Sequence, residues 1–255
     1  MKKLNLLFPD EALIAAEKMP EPEYFRDLHL DQVINKITEG REDYKLSPYF
    51  YWLPQDLESI RFRQGIMHDL ENTAVYNNIL LFSKDLSGIR NSLAHIEKLY
   101  YPLQRQRNYL ETAIRYQQLL KGLLNRLSQI TIESSGLKAF VIKMQEIVDT
   151  EFFMEFENKS AALLEKMNSI RYAVIVKDNR VTVQRCLDEN DYALDVARLW
   201  YLDMTGTSAD ESKPGVNSGY DMNHVEAQIL EGVARLFPEP FHELASYCQQ
   251  YMLPG

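Results

Sequence analysis

Arg171-Tyr-Ala-Val-Ile-Val-Lys-Asp-Asn-Arg-Val-Thr-Val-Gln-Arg-Cys186 reads as a β-hairpin in a chain whose other ordered stretches read as helix. β-Branched residues cluster at Val174, Ile175, Val176, Val181, Thr182 and Val183. Lys177-Asp-Asn-Arg180 interrupts them, and Asp and Asn tolerate the left-handed angles of a tight turn. Two short strands alone are marginal in water, so the ribbon must lean on its flanking helices or on something bound to it. Arg171, Lys177, Arg180 and Arg185 are opposed within it only by Asp178, which makes it basic inside an acidic chain. Two readings stay open: the cations lie against a phosphate backbone, or they keep exposed strand edges soluble.

The chain has 255 residues and a formal charge of -9, long enough for one elongated domain or two compact ones. That charge argues against a general nucleic-acid coat, since sequence-independent affinity comes from Lys and Arg neutralising phosphates; any such contact must be local. Cys186 and Cys248 form no CxxC pair, which fits free thiols in a reducing compartment, with the cytoplasm as the expected location. Met1 to Phe8 starts like a signal peptide, but Pro9-Asp-Glu11 ends the apolar run too early for export. No segment is long enough to span a membrane.

Outward from the hairpin the periodicity is helical. Residues 1–23 form a lead-in, with a short helix over Glu11 to Lys18 and an extended connector at Pro20 and Pro22. A helical core over 24–133 opens with Leu30, Val33, Ile34 and Ile37 on one helix face, ended by Gly40 in the left-handed conformation. Tyr49 to Trp52 form an aromatic packing block, and a helix from near Pro54 carries Leu57, Ile60, Ile66, Met67 and Leu70. Val75, Ile79, Phe82, Leu86, Ile89, Leu93, Ile96 and Tyr100 then alternate spacings of four and three, a heptad stripe about 39 Å long at 1.5 Å per residue. Its partner seam follows Pro102 through Leu103, Gln106, Leu110, Ala113, Gln117, Leu120, Leu124 and Leu127; Pro102 marks either a reversal or a kink.

Residues 134–221 hold a helical arm, the hairpin tip and an acidic linker. Ser134-Ser-Gly136 opens one helix, and Asp149 or Thr150 caps the next, which runs through Leu163, Leu164, Met167 and Ile170 into the hairpin. Asp191 to Asp203 continues as helix or strand, and Thr205 to Asp221 reads as a mobile linker. In 222–255 the chain returns along two helices, one with Val225, Ile229, Val233 and Leu236, the other, after Pro238 and Pro240, with Phe241, Leu244, Tyr247, Cys248 and Tyr251. The expected fold is mainly α: an elongated helical core and lever with one small β-hairpin, clamp-like, at its tip.

Tyr24-Phe-Arg-Asp-Leu-His-Leu-Asp-Gln-Val33 and Ile60-Arg-Phe-Arg-Gln-Gly-Ile-Met-His-Asp-Leu-Glu71 resemble a branch of the MutS mismatch-repair family. Lys98-Leu-Tyr-Tyr101, Tyr172 to Val183 and Asp221-Met-Asn-His-Val-Glu-Ala-Gln-Ile-Leu230 are similar to the same branch in the same order, so the likeness covers about Tyr24 to Leu253. The resemblance implies a helical core and lever whose clamp touches the backbone of duplex DNA and whose motion is coupled to a C-terminal ATPase. It makes Arg171, Lys177, Arg180 and Arg185 candidate phosphate contacts, although the family clamp is larger than this ribbon. No Gly-rich loop ending in Gly-Lys-Ser/Thr occurs here, so the resemblance implies no catalysis by this chain, with ATP and Mg confined to the absent ATPase. The end at Leu253-Pro-Gly255, where that domain would follow, suggests an excised piece or a natural truncation. The mismatch-reading domain with its Phe-x-Glu wedge is also absent, and Phe153-Met-Glu155 matches that string in a helical context that suits a core Phe.

Weaker DNA-facing candidates are Arg105, Arg107, Arg115, Lys121 and Arg126, opposed in that stretch by Glu111; the same run also suits a solvated helix face. Asp221, His224 and Glu226 diverge on a helix, so Asp221 reads as a helix cap rather than a metal ligand. His68-Asp69 and His242-Glu243 diverge likewise, His95 borders the seam, and no Gly-x-Ser-x-Gly or HExxH string is present. Expected partners are duplex DNA, the family's ATPase domain and a second copy in a homodimer. The competing reading is a helical protein-interaction or dimerisation scaffold with no nucleic-acid role, supported by the acidic balance and the heptad stripe.

Overall fold

A computed structural model describes residues 19–54, 56–177, 180–186 and 222–251, apart from the side chain of Asp43. The expected helix over Glu11 to Lys18, the start at Met1, the turn at Asp178 and Asn179, the tract from Asp191 through the linker to Asp221, and the end at Leu253-Pro-Gly255 lie outside them. The described residues form ten α-helices and one two-stranded antiparallel sheet, so the protein is mainly α with a small β-hairpin. In chain order these are α1 (Tyr24–Asp27), α2 (Leu30–Thr38), α3 (Pro48–Tyr51), α4 (Leu57–Glu71), α5 (Thr73–Lys98), α6 (Pro102–Leu127), α7 (Ser135–Val148) and α8 (Glu151–Asn168), then β1 (Tyr172–Lys177), β2 (Arg180–Arg185), α9 (His224–Leu236) and α10 (Pro238–Tyr251).

Most helix ends follow local chemistry. Gly40, with φ +75°, follows α2 as its sequence position implies. The Asp56 side chain accepts from the Ser59 N–H at 2.6 Å to start α4, and Ser134 Oγ accepts from the Leu137 N–H at 3.2 Å to start α7. Thr150 Oγ1 accepts from the Phe153 N–H at 3.2 Å, which makes Thr150 the cap of α8, while Asp149 closes α7. At α9 the cap is Asn223, not Asp221. Its side chain accepts from the Glu226 N–H, and Glu226 reaches back to the Asn223 N–H, both at 2.9 Å.

Contacts divide the chain into two compact units, residues 1–87 with 117–154, and residues 88–116 with 155–255; helices α5, α6 and α8 contribute to both. In the first unit Ile66, Val75 and Leu137 are buried together, with Phe62, Leu70, Ile79, Ile130 and Ile132 packed around them. Gly136 permits this approach of α7 to α4, because a Cβ there would stand 2.8 Å from Phe62 Cζ and closer still to Ile66 Cδ1. Leu57 and Met67 are exposed rather than on the buried face of α4. Phe25 meets Tyr51 edge-on at 5.0 Å, so the aromatic block is a packing feature.

In the second unit Ile96, Leu99, Leu110 and Ala113 join Phe156, Leu163, Met167, Val233 and five residues of α10 in one core. Those five, Phe241, Leu244, Tyr247, Cys248 and Tyr251, are the face read from spacing after Pro238 and Pro240. Arg115 Nη2 donates to Ser92 Oγ at 3.2 Å across 23 residues, a separation of about 34 Å along a continuous helix, so the chain reverses at Pro102. The last stripe position within α5 is therefore Ile96, which is buried, and Leu99 is buried just past the helix end. Tyr100 lies outside α5 and is 85% exposed, because the residues before Pro102 leave the helical conformation.

Candidate nucleic-acid interface

The ribbon is antiparallel and pairs Tyr172 with Arg185, Val174 with Val183, Val176 with Val181, and Lys177 with Arg180. Strand side chains alternate, so Tyr172, Val174, Val176, Val181, Val183 and Arg185 share one face, and Arg171, Ala173, Ile175, Lys177, Arg180, Thr182 and Gln184 share the other. The valine face leans on α9. A Cβ added at Gly232 would lie 3.0 Å from Val183 Cγ2, so glycine is what lets β2 approach the helix this closely. The support expected from flanking helices thus comes chiefly from a helix that starts 39 residues after β2 ends. Val174, Ile175, Val176 and Val181 remain exposed, Val176 at 70%, so the ribbon lies at the surface and not inside the core.

Three of the four leading candidates share the face turned from α9, and one does not. Lys177 and Arg180 sit directly opposite each other at the outer end, both exposed. Like charges so placed destabilise a ribbon, and an anion between them would relieve that repulsion. Arg171 lies on the same face about 20 Å back along β1, six residues at about 3.3 Å each. Arg185 points to α9 instead. Its Nη2 donates to the Leu236 carbonyl at 2.5 Å, and its guanidinium stacks 4.9 Å from the Phe237 ring centroid. This satisfies a terminal carbonyl of α9 and suits the negative end of its dipole. The strand period carries the signal for this split, since Arg185 stands five positions from Arg180 along β2 and so falls on the opposite face.

The weaker candidates on α6 do not form one strip. Arg105 and Arg107 are two residues apart, about 200° around a helix. Arg107 pairs with Glu111 at 3.0 Å, and Arg115 also donates to Thr112 Oγ1 at 3.1 Å, so both are held by their own unit. In the other unit Lys121 is exposed, and the Arg126 guanidinium folds back over Gly122.

The titratable residues weighed for other chemistry are placed as follows. Asp69 accepts backbone hydrogen bonds from Glu133 and Ser134, His68 lies 3.2 Å from Glu71, and Glu243 pairs with Lys166 at 2.6 Å. His224 Nε2 lies 3.0 Å from the Gln228 amide nitrogen, and Glu226 is taken up in the cap of α9. Phe153 is 4% exposed, a core residue of α8. Among the described residues no three His, Cys, Asp or Glu side chains stand close enough to share a metal ion, and no helix is long and apolar enough to cross a membrane. Comparison of the chain with models of protein families, with curated proteins and with solved structures finds no match in any of the three.

Proposed function

We propose that this chain is a non-catalytic core, lever and clamp-like module of a MutS-type DNA mismatch-repair protein, contacting the backbone of duplex DNA and coupling that contact to the family's C-terminal ATPase. The observation that carries the reading is the like-charged pair Lys177 and Arg180 facing each other at the exposed end of the ribbon. Arg171 on the same face extends it, and the resembling segments supply the family. Arg185 acts as the ribbon's anchor to α9 rather than as a phosphate contact. The test is retention of duplex DNA by the full chain across salt concentrations. Two phosphate contacts give a slope of about -2 in log affinity against log salt, and the double reversal Lys177→Glu with Arg180→Glu removes it. Affinity independent of salt sinks the proposal.

A dimerisation scaffold is the second reading, favoured by Tyr76, Leu80 and Leu81, each more than two-fifths exposed at the start of α5. Under it, Leu80→Glu with Leu81→Glu shifts a dimer to monomer in light scattering. A wild-type chain that is already monomeric rejects it.

A further inference from the structure

The edge of β1 turned away from β2 has a backbone pattern that the DNA reading does not use. The Cys186 N–H donates to the Arg171 carbonyl at 3.3 Å, which makes Arg171 and Cys186 a hydrogen-bonded pair. Antiparallel pairs alternate, so Ala173, Ile175 and Lys177 also turn their N–H and C=O groups inward to β2. The N–H and C=O groups of Tyr172, Val174 and Val176 therefore point outward along an edge that has no neighbouring strand among the described residues. These same three residues carry the apolar face. Val174 and Val176 are 41% and 70% exposed, and Val225, seven residues before Gly232 on the ribbon-facing side of α9, is 51% exposed.

We propose that the β1 edge is a strand-addition site for an extended, acidic-apolar segment of a partner protein. An antiparallel third strand places a side chain on the same face as each residue it opposes. Apolar residues opposite Val174 and Val176 extend the valine face, and an acidic residue opposite Lys177 fixes the register by charge. The pattern recognised is acidic-apolar-any-apolar, read from the partner's N-terminal side. Charge also selects against a second copy of this edge: paired about Val174, it would set Lys177 against Arg171 at both ends. The inference does not rest on the DNA reading: the two share Lys177, but strand addition uses the outward N–H and C=O groups and the valine face, which phosphate contact does not.

The test uses the full chain and a capped, fluorescent peptide, Asp-Val-Thr-Val-Thr-Val, read by anisotropy and by amide hydrogen exchange at single residues. Binding is expected to slow exchange at Tyr172, Val174 and Val176 and leave the inward amides of Ala173 and Ile175 unchanged. Val174→Pro removes one outward donor without touching the ladder to β2, and weakens binding about tenfold or more. Lys177→Glu, at the exposed end where folding is not at stake, weakens it too and is rescued by the same peptide headed by Lys. Equal binding by the Asp-headed and Lys-headed peptides to the unaltered chain overturns the inference. So does an absence of edge protection by the peptide, or protection of the same three amides by duplex DNA alone.

Discussion

Replacing Asp69 is expected to weaken the tie between two helices of the first unit while leaving their apolar packing in place. Asp69, near the end of α4, is 6% exposed, and its two carboxylate oxygens accept from the backbone N–H groups of Glu133 at 3.0 Å and Ser134 at 2.9 Å. Those donors lie where α7 begins, and Ser134 is itself the cap of that helix. Asn keeps the size, but its one carbonyl oxygen serves one donor, and its NH₂ faces the other. A hydrogen bond to a charged acceptor contributes about 1.5–3 kcal/mol, and a buried N–H left alone costs about 1–3 kcal/mol, so Asp69→Asn is expected to lose about 2–3 kcal/mol and Asp69→Ala more.

The pH dependence supplies an independent check. Burial works to raise the Asp69 pKa, but the hydrogen bonds from Ser134 and Glu133 outweigh it and hold the carboxyl below its ordinary value. A carboxylate lowered in the folded state contributes stability above its unfolded value, about 3.9, and that contribution is lost as pH falls through the lower folded value. The gap between wild type and Asp69→Asn is therefore full at neutral pH and closes in acid. Urea midpoints by circular dichroism measure the gap, and hydrogen exchange at the Glu133 and Ser134 amides localises it. Equal midpoints at neutral pH, or a gap that persists unchanged in strong acid, would refute the reasoning.

Gly232→Leu introduces a better helix former in α9 but pushes against Val183, so it is expected to cost about 1–3 kcal/mol and to speed exchange at Ala173 and Ile175 in the ribbon. Tyr247→Phe removes the 2.7 Å contact between the Tyr247 and Ser160 hydroxyls while Ser160 still donates to the Phe156 carbonyl at 2.6 Å; a loss of about 1 kcal/mol in urea unfolding is expected, and no loss would show the pair to be incidental. Burial pushes the Cys248 thiol up to about 11. Cys248 in the native chain should therefore resist thiol reagents that reach the half-buried Cys186, and, because its neutral form is the one favoured by folding, its contribution is complete below the unfolded pKa of about 8.5 and lost as pH rises through the folded value; mass spectrometry of the labelled chain and alkaline unfolding check the two statements.

The elements that were legible beforehand are those whose cause lies within a few residues. Ser134, Gly40 and the face from Phe241 to Tyr251 needed only cap chemistry and helical spacing. The partner seam on α6 includes Gln117, which is 3% exposed among leucines. Where spacing and local chemistry disagreed, local chemistry won. Tyr100 fits the heptad but falls where Pro102 ends the helix, and Asp221 is a good cap residue while Asn223, with Glu226 three positions on, completes a reciprocal box. Leu57 and Met67 are apolar at helical spacing yet stay exposed, since periodicity cannot say whether a neighbour exists to cover a face.

The ribbon shows why the candidate site was only half legible. Its strands, and the four cations on them, are written locally, but the division of labour among those cations is set by Gly232, Leu236 and Phe237 on α9, beyond a long intervening tract. Contact with α9 decides which face is inward, and from that one fact Arg185 becomes an anchor while Lys177 and Arg180 are turned away. The anchor acts near the strands' inner end, at Val183 and Arg185, and leaves Val176 and Val181 exposed farther out. A two-stranded ribbon held at one end is marginal at the other. Ordering by a ligand is then a physical expectation for that outer end: phosphate across the cationic face, or a third strand along the β1 edge, supplies contacts that the helix does not reach.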